Sequence, residues 1–171
     1  MKLLPILLAA LVAVEPAAQA VEAELKAAFL LNFVRFVEWP DRAFQGPGAP
    51  LVFAIVDADP VADELERLVK GKTVHNRQVV IRRETARGSI LGSHMAFWGG
   101  QGTNPAGPRN GQGPVLTIGE SPQFLARGGA INLFVEDNRI KFEVSAISID
   151  EQGLRVSSRL LALATRVLER P

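Results

Sequence analysis

The residues able to do chemistry in this chain are few, and their spacing narrows what they can do. His75 and His94 are its two histidines; they stand far apart, and neither sits in a His-Glu-x-x-His pattern that would aim two imidazoles at one metal. The chain has no Cys and no Tyr. That excludes thiolate metal sites, thiol nucleophiles, disulfide staples and thiol redox sensing. Ser157 and Ser158 are adjacent hydroxyls, but no Gly-x-Ser-x-Gly surrounds them, and a serine at a helix start is ordinarily a cap. The carboxylates form no recognisable acid–base pair. Neither an enzyme nor a bound cofactor or metal is expected.

Two sets of residues remain as binding candidates. Asp57 and Asp59 follow a continuous apolar run, Leu51–Val56, of the kind that makes a strand buried on both faces. The space beyond the carboxyl end of such a strand is where parallel sheets hold ligands. Asp59-Pro60 also has the signature of an N-cap followed by proline at the first helical position, and this is the stronger assignment for Asp59. Arg77, Arg82, Arg83 and Arg87 make a basic cluster nearby in sequence. It suits an anionic ligand or an acidic partner, and equally a solvated strand edge kept from aggregating by its charge. Asp57, Arg77 and Arg82 are thus the ligand-binding candidates. Phe134, Arg139 and Glu143 are the partner-binding candidates, because they share the polar face of a hairpin where a phenylalanine is out of place. Trp39 joins them as an aromatic at the end of a strongly apolar helix.

Those residues must be positioned by a small set of elements. Ile131, Leu133 and Val135 alternate with Asn132, Phe134 and Glu136; after Asp137-Asn138, Ile140, Phe142 and Val144 alternate with Arg139, Lys141 and Glu143. This is a β-hairpin with one apolar face. Residues 146–152 form a short helical turn with Gly153 as its exit. Ser157 caps a helix whose apolar stripe is Leu160, Leu161, Leu163, Ala164, Val167 and Leu168. Burying a charge in that stripe, as in Leu161→Asp, is expected to unfold the domain. Near the start, residues 21–39 read as a helix with Leu25, Ala28, Phe29, Phe33, Phe36 and Val37 on its buried face and a Glu22–Lys26 pair on the other. Pro40 stops it. Strand 51–56, a helix ending at Gly71 and strand 79–82 compose a βαβ unit. Met95–Trp98 and residues 115–118 are further strands, and Glu120-Ser121-Pro122 opens a short helix carrying Phe124 and Leu125. Residues 99–114 are rich in Gly, Pro and Asn and are expected to be a loop. The expected fold is α/β: one domain with a mixed, mainly parallel sheet of about five or six strands, helices on its faces, and a C-terminal hairpin and helix.

Residues 1–20 have Lys2 in a positive n-region, an apolar core and Ala18-Gln19-Ala20 as a cleavage site. They are expected to be a cleavable secretory signal peptide, leaving residues 21–171 as one exported domain. The 19 Lys and Arg nearly balance the 18 Asp and Glu, which argues against a nucleic-acid partner.

Several of these stretches resemble one known family. Gly128, Gly129, Ile131, Arg139, Phe142, Glu143, Gly153, Leu154, Ser157, Ser158, Leu160, Leu161, Leu163 and Ala164 carry the C-terminal part of the likeness. The string NFVRFVEWP carries it near the start, at Asn32, Phe33, Phe36, Trp39 and Pro40. GKTVHNRQVVIRR and PVLTIGESPQF continue it in the same order. Together they resemble the YfiR-like family of bacterial periplasmic regulators. The resemblance implies a periplasmic protein that acts by contact with an inner-membrane signalling protein, through the periplasmic region of a diguanylate cyclase that it represses. It also implies an outer-membrane lipoprotein as a second partner, admits a homodimer, and links the output to cyclic di-GMP and biofilm formation. A periplasmic small-ligand binder or sensor accessory is the alternative. Two departures stand out. Ser93 occupies a position where the family commonly has Cys, so cysteine-based redox control is absent. Residues 99–114 replace a helix the family usually carries.

Overall fold

The computed structural model describes residues 16–100 and 113–169. Helix α1 spans Pro16–Arg35 and is followed by the short strand β1, Val37–Glu38. Strand β2 (Leu51–Val56), helix α2 (Asp59–Val69), β3 (Thr73–Val74) and β4 (Arg77–Glu84) come next. Then follow β5 (Met95–Trp98), β6 (Leu116–Gly119), β7 (Ile131–Glu136), β8 (Arg139–Ser145), α3 (Ala146–Glu151), β9 (Arg155–Val156), α4 (Ser158–Leu163) and β10 (Arg166–Leu168).

Among the described residues the main sheet has eight strands in the order β10-β8-β7-β6-β5-β2-β4-β3, rather than the five or six expected. The extra strands are the two short edges, β3 and β10, which are too brief to show as alternation in the sequence. The inner pairs from β4 to β7 are all parallel; β7–β8 and β3–β4 are antiparallel hairpins, and β10 runs parallel to β8. The α/β class with a mixed, mainly parallel sheet is as the sequence indicates. The continuous apolar run of β2 is central, flanked by β4 and β5, and five of its six residues are buried.

Side chains alternate between two cores. Phe53, Ile55, Met95, Phe97, Leu116, Ile118, Ile131, Leu133, Phe142 and Val144 face the helices, where they meet Leu30, Phe33 and Val34 of α1, Leu65 of α2, Ile149 of α3 and Leu160 of α4. Ala54, Val56, Ala96 and Trp98 face the other way, onto Ile90, Val115, Phe124 and Leu125. The helices thus cover one face, and irregular chain covers the other. On that second face Phe124 lies between Gly119 and Gly129, and a Cβ at either glycine would fall inside the ring's van der Waals surface.

Several expectations are corrected. The first helix ends at Arg35, not residue 39, because Val37 and Glu38 pair with Val156 and Arg155. Ser157 N–H also donates to the Phe36 carbonyl at 2.9 Å. Its buried stripe is Ala23, Ala27, Leu30, Leu31, Phe33 and Val34, whereas Leu25 is 48% exposed. Packed against both the sheet and α2, α1 carries apolar residues beyond its buried stripe, Leu25 among them, so periodicity alone does not fix its inner face. Second, Ala58 rather than Asp59 occupies the N-cap of α2, with no side-chain cap bond, and the Asp59 carboxylate faces Arg83 at 3.5 Å. Third, the final helix stops at Leu163. Val167 and Leu168 belong to β10, which supplies main-chain partners to the otherwise open edge of β8. Ser157 does cap α4, accepting from Arg159 N–H, but Leu160 is its one fully buried side chain and Leu163 is 68% exposed. The short helix expected after Glu120 is a turn and one 3-10 turn over Leu125–Arg127.

The hairpin is as expected. Its turn residues Asp137 and Asn138 have φ of 52° and 57°, the left-handed pair a two-residue type I′ turn demands. Of the expected signal peptide, residues 1–15 lie outside the described residues, and residues 16–20 form the start of α1.

Candidate functional site

The strand order β4-β2-β5-β6-β7 reverses direction of progression between β2 and β5, the point at which parallel sheets leave a crevice beyond their carboxyl ends. Two adjoining hollows lie along that edge. The smaller, about 330 Å³, is lined by Asp57, Ala58, Phe97, Gly99 and the start of α1. The larger, about 560 Å³, is lined by Pro122, Asn132, Leu133, Phe134, Val135, Ile140 and Glu143. Glu22, Lys26, Gly100 and Glu120 border both.

The shared border is an ion-pair cluster. Lys26 Nζ lies 2.6 Å from Glu22 and 2.6 Å from Glu120, and the Glu120 carboxylate also accepts from Gly100 N–H at 2.8 Å. The Lys26 and Glu120 side chains are only 16% and 11% exposed. Burial alone would lower the lysine's pKa. The hydrogen bonds and charges of Glu120 and Glu22 outweigh it and hold the ammonium above its ordinary value. The cluster pins the start of α1 to the loop leaving β6.

The larger hollow exists because β6 is short. The last β6–β7 pair is Gly119↔Asn132, and the chain then turns away at Ser121. From Leu133 onward, β7 has β8 on one side and no strand on the other among the described residues. A row of polar residues crosses three strands at the base of this notch: Asn132 pairs with Glu143, and Glu143 with Arg166. The Asn132 Nδ2 donates to Glu143 Oε1 at 3.2 Å, and Arg166 Nε donates to Glu143 Oε2 at 2.9 Å. Asn132 Oδ1 is buried without a hydrogen-bond partner. Reversing the amide would turn its oxygen onto the Glu143 carboxylate, so the orphan is the acceptor.

Phe134 and Glu143, singled out from sequence as partner-binding candidates, therefore meet at one site. Phe134 is half-buried. Arg139 is exposed at the hairpin end, opposite Glu136. Trp39 is not part of this site: its Nε1 donates to the His94 carbonyl at 3.0 Å, and its ring lies edge-on to His75. The ligand candidates are likewise dispersed. Asp57 lines the smaller hollow in a left-handed conformation, φ 49°. Arg77 instead binds the carbonyls of Gly46, Pro47 and Ala49 and covers the Phe44 ring at 3.7 Å. Arg82 binds the Ser89 and Leu91 carbonyls and the Ser93 hydroxyl. Arg83 grips Asp63 and Glu66 of α2, and their hydrogen bonds raise its pKa further. Each of these three arginines ties down chain around β4: Arg82 points to one face of the strand, while Arg77 and Arg83 share the other face at opposite ends of it.

Sequence reasoning missed Lys26, Glu120 and Asn132. Lys26 and Glu120 are far apart in the chain and look like ordinary surface charges. Asn132 occupies a polar position in an alternating strand and is 3% exposed. The available signal was Glu120 standing directly beyond the carboxyl end of a buried strand.

A family model described as YfiR/HmsC-like matches residues 23–165. Among solved structures, a conserved domain protein from Vibrio cholerae is similar, with a TM-score of 0.44 and 11% identity over 85% of this chain and 60% of that one. The chain thus spans less than two thirds of that neighbour's length. A search of curated proteins gave no match.

Proposed function

Because the chain belongs to the YfiR/HmsC-like family, we propose that it is a periplasmic regulatory protein that acts by protein–protein contact. Its target is an inner-membrane signalling enzyme of the diguanylate cyclase kind, repressed through that enzyme's periplasmic region. An outer-membrane lipoprotein that sequesters the repressor would be the second partner. The observation that carries this reading is the family match over most of the chain. The notch beside β7 supports it, since Phe134, Val135 and Ile140 present apolar surface beside Glu143 at one accessible place. No helix among the described residues is long and apolar enough to cross a membrane. Cellular cyclic di-GMP in strains with and without the gene is the test. A rise on deletion supports repression of a cyclase, and an unchanged level removes it. Export is tested separately: the mature protein's first residue should be Val21, left by cleavage after Ala20.

The smaller hollow favours a second reading, in which the protein binds a small ligand beside Asp57 at the switch point of the sheet. Thermal-shift measurements with amino acids and nucleotides distinguish the two. A flat response throughout would end the ligand reading and leave the contact reading intact.

A further inference from the structure

We propose that the open edge of β7, from Leu133 to Val135, is a strand-addition site that takes an extended segment of a partner protein bearing a basic side chain. This rests on the contact reading above and specifies what the partner presents.

The first argument is the direction of the main-chain groups. The two-residue turn makes Glu136↔Arg139 a hydrogen-bonded pair, and antiparallel pairs then alternate. Phe134↔Lys141 and Asn132↔Glu143 are the next bonded pairs, so the N–H and C=O groups of Leu133 and Val135 turn away from β8. At Ile131 that outward side meets β6; past Asn132, β6 has ended. Among the described residues no strand pairs with the outward groups of Val135, which open on the notch, and Val135 itself is 61% exposed. Natural sheets normally cover or charge such an edge. Here it is recessed within a hollow of about 560 Å³, so a single extended segment enters it more readily than the edge of a folded sheet.

The second argument is chemical. An added strand would present alternate side chains to the two faces of β7. On one face it meets Leu133, Val135 and Ile140, which call for apolar residues. On the other it meets Phe134, Glu143 and the buried orphan acceptor of Asn132. Among the described residues that line the notch, three are carboxylates, Glu22, Glu120 and Glu143, and one is a cation, Lys26. The balance is negative, and the unmatched polar group is an acceptor. The negative balance favours a cationic segment, and Glu143 with the orphan acceptor favours its lysine or arginine on that face of the incoming strand.

The test is selection of linear heptapeptides displayed on phage against the full chain. Enriched sequences should alternate apolar and polar residues and carry Lys or Arg. Val135→Pro deletes only the outward N–H and leaves the β8 ladder intact, so it should reduce capture at least tenfold. Val135→Ala, which keeps the N–H, should retain most of it. Glu22→Lys should weaken capture of the basic peptides. Should Val135→Pro fail to fold, N-methylation of the selected peptide's backbone removes the same hydrogen bonds from the other partner. No enrichment, acidic consensus peptides, or capture indifferent to both main-chain changes would overturn the proposal. The outcomes separate from those of the regulatory reading. Capture lost in Val135→Pro, with cyclic di-GMP unaffected by gene deletion, keeps the strand-addition site and rejects the cyclase.

Discussion

His94 is held in one neutral tautomer by its surroundings. Its Nδ1 accepts from Val52 N–H at 3.0 Å, so its Nε2 must carry the proton donated to the Ala43 carbonyl at 3.1 Å. Its ring stacks on Phe44, 4.6 Å between centroids, beneath the Arg77 guanidinium. Burial lowers its pKa; the Ala43 carbonyl pulls the other way, and the Arg77 charge adds to the lowering. The unfolded chain's histidine titrates near its ordinary value of about 6.5, so below that pH the unfolded state binds the proton first. The stability due to neutral His94 is therefore complete above about pH 6.5, falls as the pH drops through the window below it, and levels off beneath the folded-state pKa. Urea midpoints should decline between about pH 7 and pH 5, where few ordinary carboxylates titrate. His94→Gln should be less stable at neutral pH and flatter across that range; equal slopes for both proteins would refute this account. Lys26 gives a second prediction. Lys26→Met leaves the largely buried Glu120 without its lysine partner and should cost about 1–3 kcal/mol by denaturant unfolding, allowing for its partial exposure. Lys26→Met combined with Glu120→Gln should recover part of that loss. Neither role was readable in the sequence. A histidine's tautomer and a lysine's partner depend on which distant segments the fold brings within 3 Å.

The elements were legible in proportion to how local their causes are. β2 and β5 match the expected limits because their unbroken apolar runs need no context. The β7–β8 turn was marked by Asp137-Asn138. A second left-handed pair, His75-Asn76 with φ of 51° and 59°, joins β3 to β4 and escaped notice because β3 is two residues long. Glycine tolerates the second position of such a turn better than asparagine, so Asn138→Gly should raise stability by about 0.5 kcal/mol, measured as a shift in thermal midpoint. The last helix was over-extended for the opposite reason. Leucines at Leu160, Leu161 and Leu163 followed by Val167 and Leu168 satisfy a helical stripe, and only the open edge of β8 decides that Arg166–Leu168 pair as a strand. This shifts the weight of the packing to Leu160, which is 2% exposed, whereas Leu161 is half-buried. Leu160→Asp should unfold the domain or cost about 3 kcal/mol or more, and Leu161→Asp clearly less. Equal melting temperatures for the two variants would contradict the placement of α4.

At the scale of the whole molecule, the sheet divides structure from candidate function. The helices and the larger core lie on one face, and the carboxyl edge of the parallel strands carries both hollows. The α/β class and the parallel centre of the sheet followed from apolar runs and the βαβ pattern. Strand order did not, because pairing between segments distant in sequence leaves no local periodicity. The notch beside β7 was hidden for the same reason: it is defined by where β6 stops relative to its neighbour, a relation between two strands and a property of neither. Phe134 and Glu143 could nonetheless be singled out, since an aromatic amid the charges of a hairpin's polar face is visible in one dimension.

Phe124, held between Gly119 and Gly129, has a bearing on how this chain can diverge. A methyl group at either glycine collides with the ring, and a smaller residue at 124 opens a void in the second core. A lineage altering any one of these positions first meets a loss, so the three should be inherited as a single character, changing together or not at all. Gly119→Ala in the native background should be poorly tolerated, and Phe124→Ala, which removes every ring atom the new methyl would meet, should make its added cost markedly smaller. If their effects on the thermal midpoint simply add, the three positions are free to drift apart.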